Sequence, residues 1–340
     1  MVLLFALSEI ALTSGWVDVP GGRKQHLTAI PMIGGVAMFL AFATSILLFY
    51  HTLDHVGVLV LASLLLLMVG FYDDRRGLSA KLRLLLQLAC AALIVIEGDI
   101  VLTTLGPVFS PLSVGLGSLS VVFTIFCIVG VINAMNMSDG LDGLAGGYAL
   151  NTFLLLSIAA VQAGRIADAE VLFAMIAIVA AFLLFNYRFP GRRHALLFMG
   201  DAGSMFLGLI LAWFLIDLTQ GKDAAMSPVV ALWFFALPLY DTVSVMAKRM
   251  TKGDSPFQAD RNHLHHVLLA HGFTTLQTTA ILHTASLLLG SIGLALDFAA
   301  VPNYIMFWLL AGIFAGYCLV MNRAWRMIET RRVPTHSERA

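Results

Sequence analysis

Charged residues are scarce in this sequence. Asp, Glu, Lys and Arg make up only 12% of its 340 residues, where a soluble domain carries roughly 25%. That scarcity excludes a soluble globular protein. The 59% of hydrophobic residues and the mean hydropathy of +0.90 point to a polytopic membrane protein instead. Net charge is lacking as well. Twenty basic residues balance twenty acidic ones, so no nucleic acid or other polyanion is implied as a partner. Cysteine is nearly absent. Cys90, Cys127 and Cys318 each lie inside an apolar run, match neither a disulfide framework nor a zinc site, and read as small core residues. The first 14 residues have no basic leader segment and no small-residue cleavage site, and they contain Glu9. They read as the inner half of a first transmembrane helix, not as a signal peptide.

Ten longer apolar runs follow, near residues 31–50, 56–72, 82–97, 118–133, 143–161, 169–187, 198–216, 228–247, 279–297 and 303–321. Each approaches the ~17–25 residues that cross a bilayer as a helix. The expected fold is therefore an all-α membrane protein of about 11 transmembrane helices, a single domain over residues 1–340. Residues 248–278 form a polar, histidine-containing loop, and residues 331–340 a flexible tail. Of the 20 lysines and arginines, only Arg165 and Lys222 fall on one side of this arrangement. The skew places the N-terminus outside (periplasmic) and the C-terminus in the cytoplasm. A transporter of lipid-linked or nucleotide sugars would carry ionisable groups through the mid-bilayer. The runs at 31–50, 56–72 and 303–321 hold no acidic or basic side chain, which favours an enzyme at the cytoplasmic surface.

Five polar clusters reach that surface. The first is Arg23-Lys24-Gln25-His26, followed by Pro31 and Gly34-Gly35. It reads equally as membrane flanking or as a grip on an anion. The second is Asp73-Asp74-Arg75-Arg76 with Lys81 and Arg83. Adjacent carboxylates repel, so the pair marks a cation or proton site more readily than a solvated helix end. The third runs from Asn133 to Gly147 and holds Asn133, Asn136, Asp139 and Asp142 among four glycines. Asn133, Asn136 and Asp139 share one face if helical. A helix cap needs one such residue, not four. The fourth is Phe198-Met199-Gly200-Asp201-Ala202-Gly203-Ser204, where a flat ring beside a carboxylate and small residues suits a base. The fifth is Asp260-Arg261-Asn262-His263-Leu264-His265-His266. Without cysteines nearby, it suits phosphate better than a transition metal. Asp241, buried in an apolar run, is read as paired or structural. Acids and amides together suit Mg²⁺, with Mn²⁺ as a substitute. The chemistry is then a metal-dependent phosphoryl transfer between a soluble nucleotide and a lipid.

These motifs resemble the polyprenyl-phosphate N-acetylhexosamine-1-phosphate transferases, over about residues 15–280. The histidine segment, with Leu264 splitting the histidines, and the stretch from Arg23 to Pro31 are similar to the bacterial branch that transfers N-acetylglucosamine 1-phosphate to undecaprenyl phosphate. They depart from the branch that uses phospho-N-acetylmuramoyl-pentapeptide. The resemblance implies a multi-pass inner-membrane enzyme that takes UDP-N-acetylglucosamine and undecaprenyl phosphate. It would release UMP and begin a cell-envelope polysaccharide such as a lipopolysaccharide O-antigen. Another UDP-N-acetylhexosamine donor stays open, as does a homodimer. By the same resemblance, Asn136 and Asp201 would hold the metal, Asp142 would bond the uracil and Phe198 would stack on it. Arg261, His263, His265 and His266 would bind the donor, and Lys81 and Arg83 would receive the lipid phosphate. Asp73 or Asp74 would orient or deprotonate that phosphate, and with Asp139 and Asp201 they make up the expected catalytic set. Asp139 belongs to the metal's surroundings or to the nucleoside pocket, and Asn133 to substrate binding.

Overall fold

The computed structural model describes residues 2–18, 29–49, 55–189, 191–192, 194–255 and 262–332. The expected roles of Arg23, Lys24, His26 and Arg261, and the tail beyond residue 332, lie outside these residues. The order is α1 (Val2–Ser14), β1 (Val17–Asp18), β2 (Ile30–Pro31), α2 (Gly34–Phe49), α3 (Val56–Arg76), α4 (Ala80–Glu97), β3 (Thr104–Gly106) and β4 (Val114–Gly115). Then come α5 (Ser120–Ser138), α6 (Leu144–Gln162), α7 (Ile166–Asn186), α8 (Gly200–Asp217), α9 (Pro228–Phe234), α10 (Ala236–Thr251), α11 (Leu264–Ala270), α12 (Thr275–Phe298) and α13 (Asn303–Arg332). The strands form two small antiparallel pairs, β1 with β2 and β3 with β4.

The fold is helical, as the apolar runs require. Among the described residues, seven helices are long and apolar enough to cross a membrane, or eight if the bent pair α9–α10 is one span. The expected count of about eleven is therefore met only in part. Helix α1 and helix α2 are shorter, at 13 and 16 residues, and α4 carries Lys81, Arg83 and Glu97 within its 18.

The run at 228–247 is not one straight helix. It breaks at Phe235, and α9 and α10 meet at 80°. Pro238 gives the cause. It has no N–H to offer the carbonyl four residues back, at Phe234. The Thr152 hydroxyl of α6 donates to that carbonyl instead, at 3.2 Å.

Helix α8 is the axis of the fold. Helices α2, α3, α5 and α6 pack around it, and 15 of its 18 residues are buried. Small residues let the backbones close in. A Cβ on Gly35 would lie 2.4 Å from Gly203 N, and one on Gly70 would lie 2.4 Å from Ala202 Cα. The start of α8 is thus wedged between α2 and α3, backbone against backbone. Helix α13 is the opposite case. Most of its apolar surface faces outward, as a lipid-facing helix requires.

Candidate active site

The wedge positions the fourth cluster. Pro31 O accepts from Phe198 N at 2.8 Å, Phe198 O from Gly34 N at 2.9 Å, and Met199 O from Gly35 N at 3.1 Å. Three backbone bonds to the Pro31–Gly35 segment therefore fix Phe198 and Met199 where α8 begins. Gly200 follows with φ +71°, and a Cβ there would come 2.5 Å from Asp74 Oδ2. Glycine is required twice at this position, by conformation and by space.

The second cluster meets it. Asp73 and Asp74 sit in the last turn of α3, the wrong end of a helix dipole for a carboxylate. Each finds positive surroundings elsewhere. Asp74 Oδ1 accepts from Asp201 N at 2.9 Å and its Oδ2 from Ala202 N at 3.4 Å, so it caps α8 from outside. Asp73 is buried. Its Oδ1 accepts from Leu78 N at 2.6 Å, and its Oδ2 pairs with Arg83 Nη1 at 3.0 Å. The same Arg83 Nη1 lies 3.6 Å from Asp201 Oδ2. Lys81 is exposed on the first turn of α4 and makes no ion pair among the described residues.

The third cluster closes the group. Helix α5 runs to Ser138, past the apolar run that ends near residue 133, so Asn133 and Asn136 are helical. Asn136 Nδ2 donates to Asp201 Oδ1 at 2.8 Å and to Ser204 Oγ at 3.0 Å. Asn133 does not face the acids. It donates to Gln87 Oε1 at 2.7 Å and to Val129 O, tying α5 to α4 one turn deeper. Gln87 is a buried polar partner that periodicity did not reveal. Asp139 follows α5. Its residue is exposed, and partial desolvation by the surrounding protein, together with the charges of Asp201, Asp74 and Asp142, pushes its pKa up. Asp142 Oδ2 accepts from Arg188 Nε at 2.7 Å and Ala195 N at 3.2 Å. Its Oδ1 has no partner among the described residues.

The fifth cluster touches the third. A Cβ on Gly140 would lie 2.3 Å from His265 Nε2, so the imidazole rests directly on that loop. His265 is buried, and its Nε2 has no hydrogen-bond partner among the described residues. Burial lowers its pKa to about 3, so the ring is neutral near pH 7. It can offer phosphate an N–H but no charge, which narrows the expected role. His263 is buried too and bonds Asp241 Oδ2 through Nδ1 at 2.8 Å. The reading of Asp241 as a paired acid holds.

One observation decides the family. Residues 56–219 match glycosyl transferase family 4. An undecaprenyl-phosphate alpha-N-acetylglucosaminyl 1-phosphate transferase of Yersinia pestis is 37% identical over 330 residues, covering 96% of this chain and 90% of the relative. The chain belongs to this transferase family. Transferases of the same name from Escherichia coli K12 and Haemophilus influenzae are 36% and 34% identical. They cover 96% and 99% of this chain, and 89% and 95% of their own lengths. The family 4 match holds the aspartate clusters. The whole-length relatives extend the likeness over the histidine segment.

The transferase's acid cluster also tests its fit to a metal. Among the described residues, no three His, Cys, Asp or Glu side chains stand close enough to enclose an ion. A closed zinc-type cage is thus not what these residues build. Mg²⁺ usually takes one or two carboxylates and leaves its other positions to water and substrate phosphate. Asp201 beside the Asn136 amide fits that mode, and a single guanidinium, Arg83, leaves the surrounding carboxylates in excess. Arg188 and Gln87 were missed as partners by sequence reasoning, and Ser204 was seen only as part of the fourth cluster. Arg188 carried a signal, as a cation directly after an apolar run. Gln87 carried none.

Proposed function

We propose that the protein transfers N-acetylglucosamine 1-phosphate from UDP-N-acetylglucosamine to undecaprenyl phosphate, at the cytoplasmic face of a bacterial inner membrane, as the first step of a cell-envelope polysaccharide. The observation that carries this reading is the convergence of Asp74, Arg83 and Asn136 on Asp201, in a chain 34–37% identical to transferases of that name. Eleven spans, with α1, α2 and α4 counted and α9–α10 taken as one, would put the N-terminus outside and the C-terminus inside, as the basic residues require.

A phosphate oxygen of the acceptor attacks the β-phosphorus of the donor. The bond from that phosphorus to the bridging oxygen breaks, and UMP leaves with the electron pair. A phosphate monoester has a second pKa of about 6, so the nucleophile is already ionised near neutral pH. It needs positioning more than activation. Bound Mg²⁺, held by Asp201 and Asn136, would offset charge on the pyrophosphate and the leaving UMP. Lys81 and Arg83 draw in the acceptor phosphate, and Asp73 holds Arg83 in place. Asp74 keeps the start of α8, and with it Asp201, in register. Phe198 stacks on the uracil and Asp142 Oδ1 accepts from its N3–H. His265, His266 and Arg261 donate to the donor phosphates.

The test is UMP release by purified protein with undecaprenyl phosphate, Mg²⁺ and a panel of UDP sugars. Turnover is expected with UDP-N-acetylglucosamine. Turnover confined to another UDP-N-acetylhexosamine would move the sugar assignment, and none at all would end the enzyme reading. Direct displacement predicts inversion at a chiral β-phosphorus. Retention would require a covalent aspartyl intermediate.

A further inference from the structure

Asp241 joins three elements with one carboxylate. It lies on α10, buried, past the bend that Pro238 creates. Its Oδ2 takes His263 Nδ1 at 2.8 Å, and its Oδ1 takes Leu264 N at 2.8 Å and the Tyr317 hydroxyl of α13 at 3.0 Å. A carboxylate can only accept, so Nδ1 of His263 carries a proton. Its Nε2 faces Arg249 Nη2 at 3.5 Å. Both nitrogens of His263 are thus engaged by the protein. Its ring lies parallel to His265, with centroids 5.7 Å apart and planes 7° apart, and His265 lies 4.2 Å from His266. The middle ring of the row, His265, rests against Gly140, in the loop between the proposed metal and nucleoside sides.

We infer that Asp241, acting through Nδ1 of His263 and steadied by Tyr317, is the positioning residue that sets His265 and His266 for the donor pyrophosphate. His263 is then a spacer in the row and not a phosphate ligand. Tyr317 links the outermost helix to the site. The inference rests on the proposed transferase function, since it takes the donor to be a UDP sugar.

The two nitrogens of His263 allow a sharp test. An asparagine amide nitrogen reaches where Nδ1 of histidine lies, and a glutamine amide nitrogen reaches where Nε2 lies. His263→Asn should therefore keep the bond to Asp241 and hold the KM for UDP-N-acetylglucosamine within about threefold, whereas His263→Gln should raise it roughly tenfold or more, the usual penalty for losing an orienting partner. Asp241→Asn should raise the same KM by roughly tenfold, with the KM for undecaprenyl phosphate within about twofold. Tyr317→Phe leaves the other two donors and should shift it by about threefold or less. All variants would be compared at equal melting midpoints. If Asp241→Asn does not fold, the asparagine–glutamine pair at His263 decides alone. Retention by glutamine and loss by asparagine would overturn the proposal, as would an unmoved KM in Asp241→Asn. Calorimetric binding of UDP to the same variants gives the ranking without turnover. An inactive wild type that binds UDP in the expected order would defeat the transferase reading and keep the positioning role.

Discussion

Two places in the molecule set aspartates around one arginine, and they do opposite things with the charge. In the first, Arg165 bridges Asp168 at 2.7 Å and Asp217 at 2.5 Å, beside His55, Asp99 and Trp213. In the second, Arg83 serves Asp73 and Asp201, while Asp74 takes helix amides and Asp139 forms no ion pair among the described residues. A cavity of about 290 Å³ lies at the Arg165 cluster, yet no carboxylate of the transferase motifs lines it. Cavity size and chemistry point to different ends here, and the chemistry is the better guide. Arg165 pairs directly with both aspartates beside it and makes that cluster a clamp, whereas near Arg83 the further acids Asp74 and Asp139 form no ion pair among the described residues, so negative charge gathers there.

The sharpest way to break this comparison is to take the divalent ion away. Chelation with EDTA should lower UMP release by roughly 1,000-fold or more, restored by Mg²⁺ and by Mn²⁺. Unchanged turnover would remove the metal from the acid-rich end. Next comes the pair Asp201→Asn and Asp217→Asn. The first should lower kcat by roughly 100-fold or more without a change in melting midpoint. The second should leave kcat within about threefold and lower stability by about 1 kcal/mol, since the Arg165 pair is partly exposed. Equal effects on kcat would erase the distinction.

Glycines sharpen it further. Gly200 and Gly164 both have positive φ, but only Gly200 has a neighbour, Asp74, where a Cβ would go. Gly164→Ala should cost about 1 kcal/mol from backbone strain alone, and activity should follow the folded fraction. Gly200→Ala should cost about 2 kcal/mol or more and should also reduce kcat in the folded protein, because the cap on α8 moves. The smallest effect concerns acid. His265 has a folded pKa near 3, against about 6.5 unfolded, so the unfolded chain binds its proton first as pH falls. Its contribution to stability is full above about pH 6.5 and fades towards pH 3, with a slope of at most about 1.4 kcal/mol per pH unit. Chemical denaturation across pH 7 to 4 should show this fall, and His265→Gln should flatten it.

Much of this could be read in the sequence because lipid is a strict solvent. Apolar runs had to be helices, and Asp74, Asn136 and Asp201 stood out as polar groups gathered at the ends of such runs. What stayed hidden was pairing. Gln87 and Tyr317 sit in apolar runs where nothing local marks their partners, Asn133 and Asp241. The bend at Phe235 could have been expected from Pro238, but hydropathy averages over it. The helix ends were displaced by several residues because α5 stays helical through its polar end, where hydropathy has already fallen.

The contacts among Gly35, Gly70, Gly203 and Ala202 have a thermal consequence. A joint made of main chain has no rotamers to loosen on warming. It can come apart only when α2, α3 and α8 separate, which is the unfolding of the whole bundle. Inactivation on heating should therefore coincide with the loss of helical structure, with no lower temperature at which the protein is folded but idle.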